Sequence, residues 1–321
     1  MKWPVKLLVA LIALGLAGLF GAVIFGTSPP PAELTSISAP FKSVDFSDVP
    51  AHKTLAVKHG SPIAYRQYGT GEKGAVIAIH GSSGQSVSLH PLAKALAAGG
   101  FAVYVPDIRG HGATGIRGDV DFLHQPDMDL MVLMLKVREE QRGKPLTLMG
   151  FSLGGGFLIR FVGAHSNLQP DNLVLLAPAL GPDAPTMRGQ DSGRWAAAHV
   201  PRFVGLTILN YLGFTSLNAL ETIRFAVPPN SEKHQTAAYS YRLHASLLPL
   251  RYKASLEKIK APLHVLSGEK DELFNPELMR AALAGTNPKL TLTIVPGVDH
   301  VGLTLDPAAL AAIVAKTGTT P

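Results

Sequence analysis

Pro145-Leu146-Thr147-Leu148-Met149-Gly150-Phe151-Ser152-Leu153-Gly154-Gly155-Gly156 is the stretch on which the reading of this chain turns. Pro145–Met149 reads as a short strand, and the apolar residues from Leu153 to about Val162 read as a helix. Gly150-x-Ser152-x-Gly154 therefore falls at a strand-to-helix junction. A turn that tight leaves no room for side chains on either side of the serine. It holds the serine itself in a strained conformation with its hydroxyl pushed into the open. The helix that follows aims its amino-terminal dipole at the same spot and favours negative charge there. The plainer alternative is a glycine-rich helix start with a capping serine.

Working outward, the same alternation recurs. Thr54–Val57 and Pro62–Arg66 read as a hairpin around His59-Gly60-Ser61. Ala75–Ile79 is continuously apolar, as expected of a strand buried on both faces. Ser88–Ala98 has helical spacing and stops at Gly99-Gly100, Phe101–Val105 is the next strand, and Asp127 or Asp129 begins a helix that runs to about Gln141. Asn172–Leu176, Pro262–Leu266 and Leu290–Val295 are further strands, with helices from about Pro276 and Asp306. Strands alternating with helices predict a mostly parallel sheet with helices on both faces. The exception is residues 181–261, far longer than a plain connection.

A serine hydroxyl is a weak nucleophile and needs a base. His300, in Gly297-Val298-Asp299-His300, follows the last predicted strand and is the candidate. The base in turn needs an acid to fix its tautomer. Asp271, in Ser267-Gly268-Glu269-Lys270-Asp271-Glu272, lies just past the carboxyl end of a strand, where open α/β sheets present functional groups. Asp183 is the main alternative acid, with Glu269 and Asp299 behind it. His80-Gly81-Ser82-Ser83-Gly84 follows the buried strand Ala75–Ile79 and suits an oxyanion hole, formed by the backbone N–H groups of Ser82 and Leu153. His80 is expected to shape this loop, and Asp107 and Arg109, in Pro106-Asp107-Ile108-Arg109-Gly110-His111-Gly112, to brace loops nearby.

Composition narrows the chemistry. The chain has 321 residues and no cysteine, which removes disulfides, thiolate catalysis and cysteine-ligated metals. The net charge of +6 is not gathered into basic runs, and no nucleic-acid-binding pattern is present. Much of the excess lies in residues 181–261, where ten Lys and Arg face five Asp and Glu. A metal site of His80, His111 and His300 lacks any short ligand spacing, so no metal is expected.

Lys2 and Lys6 precede an apolar run from Leu7 to Phe25. At ~1.5 Å per residue the run spans ~29 Å, the thickness of a bilayer's hydrocarbon core. It reads as an uncleaved membrane anchor with its amino terminus in the cytoplasm and the remaining chain outside. A cleaved signal peptide and secretion are the rival reading. Residues 1–26 are thus an anchor or signal segment, 27–50 a Pro- and Ser-rich tether, 51–180 and 262–316 the α/β core, and 181–261 a long insertion.

The His80-Gly81 loop, Asp107-x-Arg109-Gly110-His111-Gly112, Gly150-x-Ser152-x-Gly154, Gly268-x-x-Asp271 and Asp299-His300 together resemble the α/β-hydrolase superfamily. Within it they resemble the branch of monoglyceride lipases, lysophospholipases and serine-aminopeptidase-type hydrolases, over roughly residues 51–316. The chain order Ser152, Asp271, His300 is the order that fold uses. The resemblance implies a sheet of about eight strands, a helical cap at residues 181–261 and no cofactor. It also implies a serine hydrolase acting on small acyl esters, lipids such as monoacylglycerols or lysophospholipids first among them. An aminopeptidase would need cap carboxylates for the substrate ammonium, Glu221 and Glu232 being the candidates. A non-catalytic, ligand-binding member of the fold is the remaining alternative.

Overall fold

The computed structural model describes residues 3–25, 28–188, 194–228 and 235–318. Eight strands form one sheet: β1 (Lys53–Leu55), β2 (Ile63–Tyr68), β3 (Gly74–Ile79), β4 (Phe101–Pro106), β5 (Leu146–Phe151), β6 (Asn172–Leu176), β10 (Leu263–Gly268) and β11 (Leu290–Val295), in the order β1-β2-β4-β3-β5-β6-β10-β11. The hairpin strands β1 and β2 are antiparallel, and every pairing from β4 to β11 is parallel. In β3, β4, β5 and β6 every residue is buried, which is why these strands read as apolar runs without alternation.

Helices cover both faces of the sheet. α3 (His90–Ala98) packs against α10 (Pro307–Thr317), while α5 (Leu153–Ala164) packs against α7 (Tyr241–Leu247) and α8 (Tyr252–Leu256). α4 (Gln125–Glu140) starts two residues before Asp127, because Pro126 fits the first turn of a helix and His124 takes up a left-handed conformation ahead of it. Asp306 and Asn275 cap α10 and α9 (Pro276–Leu283) through their side-chain oxygens.

Between β6 and β10 the chain does more than add helices. Beside α6 (Val200–Tyr211), a three-stranded antiparallel sheet forms from β7 (Ala196–Ala198), β8 (Glu221–Phe225) and β9 (Ala238–Ser240). The sequence pattern does not announce it: β7 is three alanines, a residue with little preference for strands, β9 is equally short, and β8 is buried at Thr222 and Phe225 without a two-residue alternation.

At the amino-terminal end, α1 (Trp3–Ile24) contains a 20-residue apolar span, Val5–Ile24, of which only 7% is buried. Gly26 and Thr27, where the anchor was expected to give way to the tether, lie outside the described residues. The tether itself contains a helical turn, α2 (Thr35–Ser38), and Asp48 at its far end accepts from His90 Nε2 at 3.0 Å and from Lys94 Nζ on α3. That end is docked on the core.

Candidate active site

Ser152 occupies the junction of β5 and α5 with φ +52° and ψ −117°. A non-glycine residue pays for such a conformation and keeps it only when its surroundings over-determine it. They do: the Ser152 N–H donates to the Leu176 carbonyl at 2.8 Å, and its own carbonyl accepts from Gly156 and Ala179 at 3.1 and 3.0 Å. The flanking glycines are required by close approach. A Cβ on Gly150 would lie 2.6 Å from the Gly154 carbonyl carbon, and one on Gly154 would lie 2.5 Å from the carbonyl oxygens of Ile79 and His80.

The loops after β10 and β11 bring Asp271 and His300 into contact, Oδ2 to Nδ1 at 2.8 Å, with both side chains buried. The other carboxylate oxygen, Oδ1, accepts from the backbone of Leu273 and Phe274 at 2.9 and 2.8 Å, so the carboxylate cannot rotate away. A carboxylate at Nδ1 holds the imidazole proton there and leaves Nε2 with the lone pair. The ring is boxed by Phe151 at 4.9 Å and Phe274 at 5.4 Å between centroids, and Phe151 is the residue immediately before Ser152. The three residues singled out from the sequence thus sit at one end of the sheet. The alternative acids are elsewhere engaged: Asp183 is exposed, Glu269 accepts from the Gly297 N–H and Asp299 from the Gly302 N–H.

Ser82 and Leu153 supply the two N–H groups considered for the oxyanion. Among the described residues neither N–H has a backbone acceptor. A Cβ on Gly81 would meet Ser152 Cβ at 3.3 Å, so the loop after β3 passes directly over the serine. His80 keeps both nitrogens occupied: Nε2 accepts from the Ile108 N–H at 3.1 Å, and Nδ1 donates to the Gly81 carbonyl at 2.9 Å. Burial pushes its pKa below the ordinary histidine value, which keeps it neutral. It shapes the loop, as expected. Asp107 and Arg109 brace as expected too. Asp107 accepts from Ser86 N at 2.6 Å and Ala113 N at 2.8 Å, and Arg109 grips Asp129 through two bonds of 2.6 and 3.0 Å.

The residues that sequence reasoning missed come from the insertion. Trp195 Nε1 donates to Ser82 Oγ at 2.7 Å. Ser83, at φ +64°, donates its N–H to the Tyr239 oxygen at 2.9 Å and its hydroxyl to the Thr236 carbonyl at 2.7 Å. The Tyr239 hydroxyl proton then goes to His111 Nε2 at 2.7 Å, and His111 Nδ1 donates to the Ile108 carbonyl at 3.2 Å. Burial, then the neighbouring His80, pushes His111 well below the usual range, and burial raises the Tyr239 phenol. Both stay neutral, so each bond has one consistent donor. Arg188 Nε, also in the insertion, donates to the Asp271 carbonyl at 2.7 Å. No local pattern marks these side chains, because each acts across a contact between distant segments.

Glu221 is exposed and paired with Arg224 at 2.6 Å, and Glu232 lies outside the described residues. Among the described residues no group of three or more His, Asp or Glu is arranged to hold a metal ion.

Comparison with known proteins places these features in company. The family model described as "Serine aminopeptidase, S33" (Hydrolase_4) matches residues 70–307. The chain is similar to the thermostable monoacylglycerol lipase of Bacillus sp. (strain H-257), 25% identical over 212 residues that cover 63% of this chain and 72% of that one. Its fold is similar to that of a monoacylglycerol lipase from Paleococcus ferrophilus, with TM-score 0.58, 24% identity and 79% and 97% of the two chains covered. It is also similar to that of a soluble variant of monoglyceride lipase from Saccharomyces cerevisiae, with TM-score 0.64, 17% identity and 86% and 98% covered.

Proposed function

This chain belongs to the serine aminopeptidase S33 family of α/β-hydrolases, and from that premise we propose that it cleaves carboxylic esters through an acyl-enzyme formed on Ser152. The Ser152 hydroxyl attacks the ester carbonyl while His300 Nε2 takes its proton, and Asp271 stabilises the imidazolium. The oxygen that becomes negative accepts from the Ser82 and Leu153 N–H groups, each such donor being worth about 3–4 kcal/mol of barrier. Collapse expels the alcohol, which takes the proton from His300. Water then attacks the acyl-enzyme with His300 again as base, and Ser152 is released.

The observation that carries this reading is the 2.8 Å bond from His300 Nδ1 to Asp271 at the end of the sheet where Ser152 is held at φ +52°. Lipid acyl esters, monoacylglycerols or lysophospholipids, are the leading substrates. The relatives named above are monoacylglycerol lipases, and α1 has the length and composition of a membrane anchor. With Lys2 and Lys6 at its start, the anchor leaves the catalytic domain outside the cytoplasm. The family's description keeps an aminopeptidase reading in view, but Glu221 already has Arg224 as its cationic partner.

A fluorophosphonate probe tests the mechanism: wild type labels, and Ser152→Ala does not. No labelling of the folded wild type overturns the proposal and points to a ligand-binding member of the fold. A series of p-nitrophenyl esters, run beside aminoacyl amides, tests the substrate class. Turnover of the amides alone overturns the ester assignment.

A further inference from the structure

The end of α1 is built into the cap. Val23 is fully buried against Leu206, Leu209 and Tyr241, and a Cβ on Gly205 would lie 2.6 Å from Val23 Cγ2. The missing side chain is what lets the two helices approach. Arg202, itself buried, donates through Nε to the Val23 carbonyl at 2.7 Å and through a terminal nitrogen to the Ile24 carbonyl at 3.3 Å. A third nitrogen donates to the Glu221 carbonyl on β8 at 2.9 Å. The guanidinium thus satisfies carbonyls that a helix end leaves without partners, places positive charge where the helix dipole favours it, and ties that end to the cap sheet.

α6 carries α1 on the face that holds Arg202, Gly205, Leu206 and Leu209. The neighbouring face is apolar and open. Val200, Val204, Ile208 and Tyr211 follow one another at helical spacing, Leu212 and Phe214 continue the patch just past the helix, and all six are exposed, Tyr211 to 88%. A contiguous uncharged patch of this kind marks an interaction surface. Its geometry relative to α1 identifies the partner. Val5–Ile24 is as long as the hydrocarbon core is thick, and α6 meets it between Leu19 and Ile24, its last ~7–8 Å. An amphipathic helix lying in a membrane interface is buried to about 5–10 Å, with aromatic residues such as Tyr211 and Phe214 at headgroup level.

We propose that α1 and α6 form one membrane-docking unit, in which Arg202 and Gly205 clamp the anchor to the cap and thereby hold the Val200–Phe214 face in the interface of a lipid bilayer. This rests on the reading of α1 as a retained anchor and goes beyond it: the anchor fixes the orientation of the enzyme, with the cap against the lipid.

The absence of native cysteine makes the test direct. Single-cysteine variants Leu14→Cys, Ile208→Cys, Phe214→Cys and Lys258→Cys of the full chain are labelled with an environment-sensitive fluorophore in phospholipid nanodiscs holding one copy each. Collisional quenching by aqueous iodide is then measured. The expected result is that positions 14, 208 and 214 are quenched at least about fivefold less than position 258, with lipid-attached doxyl groups quenching them instead. Position 14 shielded with 208 and 214 open to iodide overturns the docking face while leaving the anchor intact. Position 14 open as well overturns both. Shielding of 208 and 214 that appears only with two copies per disc assigns the face to a second chain and overturns the proposal. Adding Arg202→Met is expected to expose position 208 while 14 stays shielded, with turnover of a soluble short-chain ester reporting that the domain is folded. Unchanged shielding in that variant overturns the clamp, and the readings with Arg202 in place stand even if the variant does not fold.

Discussion

The Trp195 indole N–H donates to the Ser82 hydroxyl across 2.7 Å, joining a segment of the insertion to the loop that passes over Ser152. With the Tyr239 hydroxyl bridging the Ser83 N–H and His111, it makes the small cap sheet a brace for the proposed oxyanion hole. The insertion and the loop over Ser152 are one hydrogen-bonded structure.

Trp195→Phe and Tyr239→Phe keep a ring and remove the polar atom. Each is expected to lower kcat about three- to tenfold with little change in KM, the scale of one net hydrogen bond acting on loop position. Steady-state kinetics on a short p-nitrophenyl ester, with a thermal melt to confirm folding, checks this. A change confined to KM contradicts the brace.

Asp271→Asn leaves an oxygen for the Leu273 and Phe274 N–H groups but presents an amide N–H to His300 Nδ1. The imidazole must then accept at Nδ1 and carry its proton on Nε2, the wrong tautomer for a base. kcat is expected to fall about 10³–10⁴-fold with the fold retained. Activity above a tenth of wild type sinks the assignment.

Gly154→Ala places a methyl group 2.5 Å from two backbone oxygens of the β3 end, where nothing flexible can yield. A loss of at least about 3 kcal/mol is expected, seen as a collapsed melting temperature or insoluble protein. Gly18→Ala, with nothing within 4 Å, is expected to be neutral and serves as the control.

Burial pushes His244 down to about 4, and its Nδ1 lies 3.0 Å from Thr222 Oγ1. Between pH 6.5 and about 4 the unfolded chain therefore binds a proton there that the folded chain does not, so stability drops as pH falls through that window and levels off below it. His80 and His111 act in the same direction. The melting temperature measured from pH 7 to 4 is expected to decline, and His244→Gln to flatten the decline by about one proton's worth of slope. An unchanged slope in that variant contradicts the assignment.

Much of the candidate site was legible because its parts carry local signatures. Ser152 is marked by glycines that sterics demand, and Asp271 and His300 by their places just past β10 and β11. Local pattern put Asp271 first, for its place past the strand end, and left Asp183, Glu269 and Asp299 open behind it, since all are carboxylates in loops. The approach of Asp271 to His300 is what separates them in space. The cap sheet was illegible because Ala196–Ala198 has no strand signature, so Trp195 and Tyr239 could not be placed.

By itself, then, the sequence determined the alternation of strands and helices, the tight turn at Ser152 and a span-length apolar helix at the amino terminus. Each is set by neighbours a few residues apart, through periodicity, backbone sterics or length. Tertiary structure alone decided how the Asp271 carboxylate is held against His300, what roofs the loop over Ser152 and what the end of α1 packs against. Those contacts join groups as far apart as Ser83 and Tyr239, 156 residues along the chain, and Arg202 and Val23, 179 residues apart. Only folding brings such groups within hydrogen-bonding distance, and no short-range pattern encodes it.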